Sequence, residues 1–378
     1  KPLTTLTWGN VVTIGPSLAR RLEIANGDHV EVMVGNRNVV GPAWIMPGQA
    51  ENTVALYLGY GRTRAGRVGD GLGYDAYDVR SVDQPWLTKG SLRKVGGHET
   101  LAVTQLHHRM EGFDFVREVS AEHPALPEQE VPASLYPPWP SSKNAWGMVI
   151  DLDSCIGCNA CVAACTAENN VPVVGKEQVT VGREMHWLRI ARYYEGGVED
   201  PRSFFQPVPC MHCEQAPCEM GCPVHATTHN AEGVNQMVYN RCIGTRTCSS
   251  FCPYKVRRFN FYDYRTPSEA PEHAAQNPDV TVRSRGVMEK CTYCTQRIEA
   301  AHAAADKESR SLRDGEVVTA CQAACPTKAI VFGDINDPNS EVSRLRRDGR
   351  HYTLLEELGT RPRTTYLARW RDEGGGQE

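Results

Sequence analysis

The first 154 residues of this chain contain no cysteine, and all fifteen cysteines lie between Cys155 and Cys325. No apolar run reaches the roughly 18 residues that a membrane-spanning helix needs. Net charge is small, −4 from 41 basic and 45 acidic residues, so nothing drives the chain as a whole toward nucleic acid. It has no phosphate-binding loop, nucleophile elbow or zinc-protease motif, and no Cys-x-x-Cys-His haem-attachment sequence. "CMHCE" comes nearest to the last, but His212 stands between the cysteines instead of after them. An odd cysteine count excludes a fully paired set of disulfides, and the tight spacings bring thiolates together as metal ligands do. The first residue is Lys1, not Met, with no charged-then-apolar leader, so the N-terminus is expected to be processed, cut or internal to a longer product.

At 378 residues the chain has room for two or three domains. Residues 1–97 look β-rich. "NVVTI" (10–14) reads as a strand, Pro16 and Ser17 open a short helix with Leu18, Leu22 and Ala25 on one face, and "DHVEVMV" alternates with Val30, Val32 and Val34 on one side. Residues 53–77 begin as a strand and become a glycine-rich loop that matches no phosphate or dinucleotide fingerprint. Residues 98–145 are expected to be an extended, proline-rich connector, 146–345 the cysteine domain, and 346–378 a tail. In that tail Leu354, Leu355 and Leu358 could form one helical face, docked either on a partner or on the chain's own core.

The cysteines fall into four runs. The first is Cys155, Cys158, Cys161, Cys165; the second is Cys210, Cys213, Cys218, Cys222; the third is Cys242, Thr245, Cys248, Cys252. The fourth, Cys291, Cys294, Cys321, Cys325, is split by a 26-residue insertion. Three of the runs end in Cys-Pro. Two-residue gaps let a tight loop wrap three thiolates round one iron–sulfur cluster, while the fourth, three residues further on, serves the other cluster of a pair. Four runs then make two pairs and four clusters. Zinc knuckles, the competing reading, favour paired two-cysteine units over runs of four.

In the third run a threonine occupies the second ligand position. A hydroxyl is a hard, weakly acidic donor and a poor substitute for thiolate on iron. The expected result is a three-iron cluster with Thr245 at the vacant corner; a four-iron cluster holding water or the Thr245 oxygen is the other reading. Lys255, Arg257 and Arg258 follow this run and could dock a partner, raise the cluster's potential, or hydrogen-bond the loops. His225 and His229 could tune the same region or satisfy loop backbone, and the pairs His107–His108 and Glu356–Glu357 read as solvated surface.

"CIGCNACVAACTAENNVPVVGKEQVTVGREMHWLRIARYY", "PCMHCEQAPCEMGCPVHATTH", "GVNQMVYNRCIGTRTCSSFCPYKVRRFNF", "RGVMEKCTYC" and "ACQAACPTKAIVFGD" resemble the four-cluster ferredoxin subunits of the complex iron–sulfur molybdoenzyme family. With threonine in "NRCIGTRTC", the chain is similar to the C-terminal part of the iron–sulfur subunit of bacterial alternative complex III. Residues 1–97 resemble the C-terminal β-barrel domain of molybdopterin oxidoreductases. The fold expected is therefore α+β: a duplicated ferredoxin-like four-cluster domain preceded by a small β-barrel.

The resemblance implies a ligand assignment. Cys155, Cys158, Cys161 and Cys325 would hold one [4Fe-4S] cluster; Cys291, Cys294, Cys321 and Cys165 a second; Cys210, Cys213, Cys218 and Cys252 a third. Cys242, Cys248 and Cys222 would hold a [3Fe-4S] cluster beside Thr245. It also implies an electron-transfer subunit of a quinol:acceptor oxidoreductase, with no substrate site of its own. Electrons would pass from a membrane quinol-oxidising subunit of the polysulphide-reductase anchor type toward multihaem and monohaem c-type cytochromes. The location implied is the outer, periplasmic face of the cytoplasmic membrane. The remainder of a molybdopterin-enzyme-like body, which the family's subunit carries before the barrel, would come from a split gene or be missing from a fragment, and no molybdenum is expected. Two other functions remain open at this point. One is the electron-transfer subunit of a true molybdenum reductase of the polysulphide or nitrate type; in the other, the barrel is a scaffold and most clusters are structural.

Overall fold

The computed structural model describes residues 4–371 apart from 67, 111, 128–133, 135, 138, 140–143 and 265–273. In the N-terminal part, β1 (Val12–Ile14), β2 (Asp28–Val34), β3 (Arg37–Ile45), β4 (Val54–Ala55) and β5 (Ser91–His98) form one sheet. Its order is β4-β1-β3-β2-β5, with β1 parallel to β3 and the other pairs antiparallel. The period-2 pattern of β2 puts Val30 and Val32 in the core with Val12, Ile14 and Val39. The helix Pro16–Arg21 opens on its proline, whose missing N–H costs nothing there, and buries Leu18 and Ala19.

The expected barrel is not closed. β4 and β5 are the two edges, and among the described residues no pairing joins them. The reason is local: β4 is only two residues long, and β5 is mostly exposed, so neither edge offers the matched ladder that closure requires. The glycine-rich loop instead folds back on β1. Asn10 Nδ2 donates to the carbonyls of Tyr57 (3.0 Å) and Tyr74 (3.1 Å), and the Tyr74 hydroxyl donates to Val11 O (2.8 Å).

The start of the connector is tied to the cysteine domain. Gln105 and Arg192 exchange hydrogen bonds, side-chain amide to backbone, at 2.8 Å each way. Much of the proline-rich stretch expected to be extended lies outside the described residues.

β6 (Glu118–Val119) and β7 (Trp146–Asp151) lead into the cysteine domain. Its hairpins are β8 (Arg189–Glu195) with β9 (Arg202–Val208), β10 (Thr227–His229) with β11 (Asn235–Met237), and β12 (Arg258–Phe259) with β13 (Met288–Glu289). β14 (Ile330–Asp334), β15 (His351–Tyr352), β16 (Thr364–Leu367) and β17 (Arg369–Trp370) follow. β7 is central in a sheet ordered β14-β7-β16-β15 and is buried along nearly its whole length, as a strand covered on both faces must be. Residues 351–367, set apart in the sequence as tail, thus supply two strands to this sheet. Leu354 is buried and precedes a short 3₁₀ turn at Glu356–Leu358, while Leu358 within that turn is exposed, so the three leucines do not share a helical face.

Candidate metal centres

Local structure explains the three-residue gaps. Cys161 and Cys165 lie in the helix Ala160–Glu168, four residues and so about 6 Å of rise apart. Cys218, Cys248 and Cys321 likewise lie in the short helices Pro217–Met220, Thr247–Phe251 and Ala320–Ala323. Their run-mates Cys222, Cys252 and Cys325 come just after those helices end. One turn of helix separates the third thiol from the fourth and delivers them to different neighbours.

The thiols of different runs influence one another's ionisation. Burial pushes the Cys161 thiol up to about 12, helped by Cys155, Cys158 and Cys325. Cys165 is raised well above its ordinary value by burial, then by Cys291, Cys321 and Cys294. Cys213 is raised by burial and by Cys210, Cys218 and Cys252. Cys248 is raised by burial and by Cys242 and Cys222. These couplings run among thiols of different runs, so residues far apart in the sequence lie near one another in the fold. Thr245 lines one small cavity with Cys222, Cys242 and Cys248, and is itself exposed. Cys210, Cys213, Cys218 and Cys252 line another.

The groups are also adjacent to one another. Cys321 feels Cys161, and Cys291 feels Cys210, which links the first three groups in sequence. Arg257 lies between the third and the trio (below). The order is Cys155's group, Cys165's, Cys210's, then Thr245's. In the end groups Cys158 is exposed and Cys155, Cys325, Cys222 and Cys242 are half-buried, with Cys161 and Cys248 buried; in the middle groups all are buried except the half-buried Cys321. The row is thus more accessible at its ends than in its middle.

The donor set fits iron–sulfur clusters. Among the described residues no three His, Cys, Asp or Glu side chains are drawn close enough together to hold a single metal ion. The thiol sulfurs also receive N–H groups: Ala226 N to Cys222 (3.2 Å), Ala329 N to Cys325 (3.3 Å), His212 N to Cys210, Tyr293 N to Cys291 and Ala320 N to Cys294 (3.5 Å each). Asn169 Nδ2 adds a contact to Cys165 Sγ at 3.6 Å. Such N–H donors stabilise sulfur carrying negative charge and tune a cluster's potential. At Cys222 burial opposes ionisation, but the N–H groups of Val224, Ala226 and Thr227 outweigh it and lower the thiol's pKa.

The third residue of every run has positive φ: Gly157 (64°), His212 (45°), Gly244 (76°) and Tyr293 (57°). Glycine adopts this backbone freely; His and Tyr hold it at a cost on the order of 1 kcal/mol or more each. Their rings stack on each other, centroids 3.7 Å apart, and both are fully buried. This pair fills the joint between the Cys210 and Cys291 loops. Asn235 N donates to His212 Nδ1 (3.1 Å), which places the imidazole proton on Nε2. His212 is held neutral by burial, then by Lys290. The Tyr293 hydroxyl meets Thr364 Oγ1 at 2.6 Å, and Thr364 Oγ1 donates to Cys210 O at 3.0 Å. The pairing is not visible in the sequence, although the matching positions in "CMHC" and "CTYC" are a signal that could have found it.

Of the three basic residues after the third run, only Arg257 reaches thiols. Lys255 donates to Ser250 O (2.9 Å), and Arg258 pairs with Glu184 (2.8 Å). His229 is buried with Nδ1 2.7 Å from Glu219 Oε1. His108 is not solvated surface: it is half-buried beside Arg192, and burial, then that guanidinium, lower its pKa to about 4.

A row of thiol groups with N–H donors on their sulfurs defines a ferredoxin-type iron–sulfur module. The comparisons agree. Residues 154–226 and 201–266 match two models of the 4Fe-4S dicluster domain. The iron–sulfur cluster-binding subunit of menaquinone reductase from Nitratidesulfovibrio vulgaris is 43% identical over 232 residues, 60% of this chain and 90% of that protein. A putative dimethyl sulfoxide reductase iron–sulfur subunit from Halobacterium salinarum is 37% identical, over 59% of this chain and 78% of its own length. Iron–sulfur subunit 1 of an Hdr-like menaquinol oxidoreductase from Archaeoglobus fulgidus is 35% identical, over 59% and 83%. The chain belongs to this family of dicluster-type iron–sulfur subunits of oxidoreductases.

Proposed function

We propose that the chain is the electron-transfer subunit of a membrane-bound quinol:acceptor oxidoreductase of the alternative complex III type. Cys155, Cys158, Cys161 and Cys325; Cys165, Cys291, Cys294 and Cys321; and Cys210, Cys213, Cys218 and Cys252 would each bind a [4Fe-4S] cluster. Cys222, Cys242 and Cys248 would bind a [3Fe-4S] cluster beside Thr245. Bound there, the four clusters would supply one-electron transfer from quinol toward c-type haems. The protein orders them, shields the middle two from water and donates N–H groups to their ligands.

The observation that carries this reading is Thr245, an alcohol on the wall of the cavity that Cys222, Cys242 and Cys248 also line. Among the described residues no helix is long and apolar enough to cross a membrane. Attachment would come from a membrane quinol-oxidising subunit on the periplasmic face, with multihaem and monohaem cytochromes and the rest of a molybdopterin-enzyme-like body as further partners. Low-temperature electron paramagnetic resonance of the oxidised complex, with iron, haem and molybdenum counts, tests the proposal. A three-iron signal with stoichiometric haem and no molybdenum is the expected result. Molybdenum with pterin would instead identify a subunit of a molybdopterin reductase.

A further inference from the structure

Arg257 is 6% exposed and lies where the Cys210 group meets the Thr245 group. One guanidinium nitrogen, Nη2, donates to Cys218 Sγ (3.0 Å), Thr227 Oγ1 (2.7 Å) and Asn235 Oδ1 (3.0 Å). Nη1 approaches Met237 Sδ at 3.3 Å. These partners are two sulfurs and two neutral oxygens. Glu219 joins this network only through Asn235, and it is engaged by His229. A guanidinium stays ionised in proteins, and burying it without a carboxylate is expensive. Its compensation would come from cluster-bound thiolates, with Cys218 Sγ the one it touches directly. Thr227 and Met237, the partners of Nη2 and Nη1, line the cavity of Cys222, Cys242 and Cys248, while Arg257 itself lines the cavity of Cys210, Cys213, Cys218 and Cys252.

Resting on the cluster reading above, we infer that Arg257 is a shared positioning residue whose buried positive charge raises the reduction potentials of two neighbouring clusters together. These are the cluster on Cys210, Cys213, Cys218 and Cys252 and the one on Cys222, Cys242 and Cys248. Reduction adds negative charge to a cluster, so a fixed cation hydrogen-bonded to its ligand favours the reduced state. One side chain serving both shifts the two potentials in the same direction, so both clusters become easier to reduce together.

The test is a redox titration of the native complex, followed by electron paramagnetic resonance, for the natural protein, Arg257→Lys and Arg257→Gln. Glutamine keeps a donor but removes the charge. It should lower both potentials by at least tenfold in equilibrium constant, 59 mV for one electron, and leave the other two unchanged. Lysine should stay closer to the natural values than glutamine does. Unmoved potentials in the glutamine variant, a shift in one cluster alone, or equal shifts in all four would overturn the inference. If the glutamine variant does not assemble, natural protein labelled with guanidino-¹⁵N arginine decides. Nitrogen coupling is expected on the signals of both clusters, and its absence from the Cys210-group signal overturns the inference. A natural complex without iron–sulfur signals would instead refute the cluster reading itself, so the two failures are distinguishable.

Discussion

Replacing Thr245 by cysteine puts a thiol at the one ligand position of the four runs that lacks one. The residue is exposed, in a loop between Gly244 (φ 76°) and Arg246 (φ 61°). A substitution there should change folding free energy by no more than about 0.5 kcal/mol. Any larger effect therefore belongs to the metal centre. Cys222, Cys242 and Cys248 already line the same cavity, so the new sulfur completes a quartet and should capture one additional iron per chain. The four-iron product should have the lower potential, and each 59 mV for one electron is a factor of ten in the equilibrium with quinol. At least one such factor is expected, with slower quinol oxidation. Iron analysis, low-temperature paramagnetic resonance of the oxidised complex and a redox titration read the three consequences separately. A persistent three-iron signal in Thr245→Cys, or a potential that does not fall, refutes the reasoning.

Gly157→Ala should strip the Cys155 group of iron, because a Cβ at φ 64° would sit 2.6 Å from Phe205 ring carbons. Gly35→Ala, at φ 62° but with nothing within 4 Å, should show only the backbone cost of about 1 kcal/mol, and iron counts on the two variants check the contrast. Tyr293→Phe deletes the hydroxyl that meets Thr364 and should cost about 1 kcal/mol, seen as faster unfolding in denaturant with all clusters retained. His351 has its pKa lowered to about 4 by burial and then by Arg346. Its share of stability is complete above the ordinary value of 6.5 and is lost as pH falls through about 4. The acid limb of thermal unfolding should accordingly flatten over that window in His351→Phe.

The four cysteine runs, and the helical turn that separates each run's third thiol from its fourth, were legible because such gaps are local geometry, set by the short helices at Ala160–Glu168 and its counterparts. β2 was legible for the same reason: Val30 and Val32 alternate onto a buried face. What the residues concealed depends on partners far along the chain. The N-terminal sheet stays open because β4 pairs over only two residues and β5 is mostly exposed, features of the folded sheet that the strand pattern of the sequence does not show. The stack of His212 on Tyr293 joins positions 81 apart, and Thr364 lies a further 71 away. Arg257 looked like one of three equivalent basic residues until burial separated it from Lys255 and Arg258.

The insertion of β16 between β7 and β15 sets the order of assembly during synthesis. β7 waits more than 200 residues for this parallel neighbour. The same late segment closes over the second run: Arg363 N and Thr364 N donate to Met211 O, and Tyr366 hydroxyl donates to Pro207 O. Until the ribosome has released Leu367, β7 presents an unpaired edge that invites pairing with other nascent chains, and the buried thiols lack their cover. The second run is therefore covered only when this late strand docks.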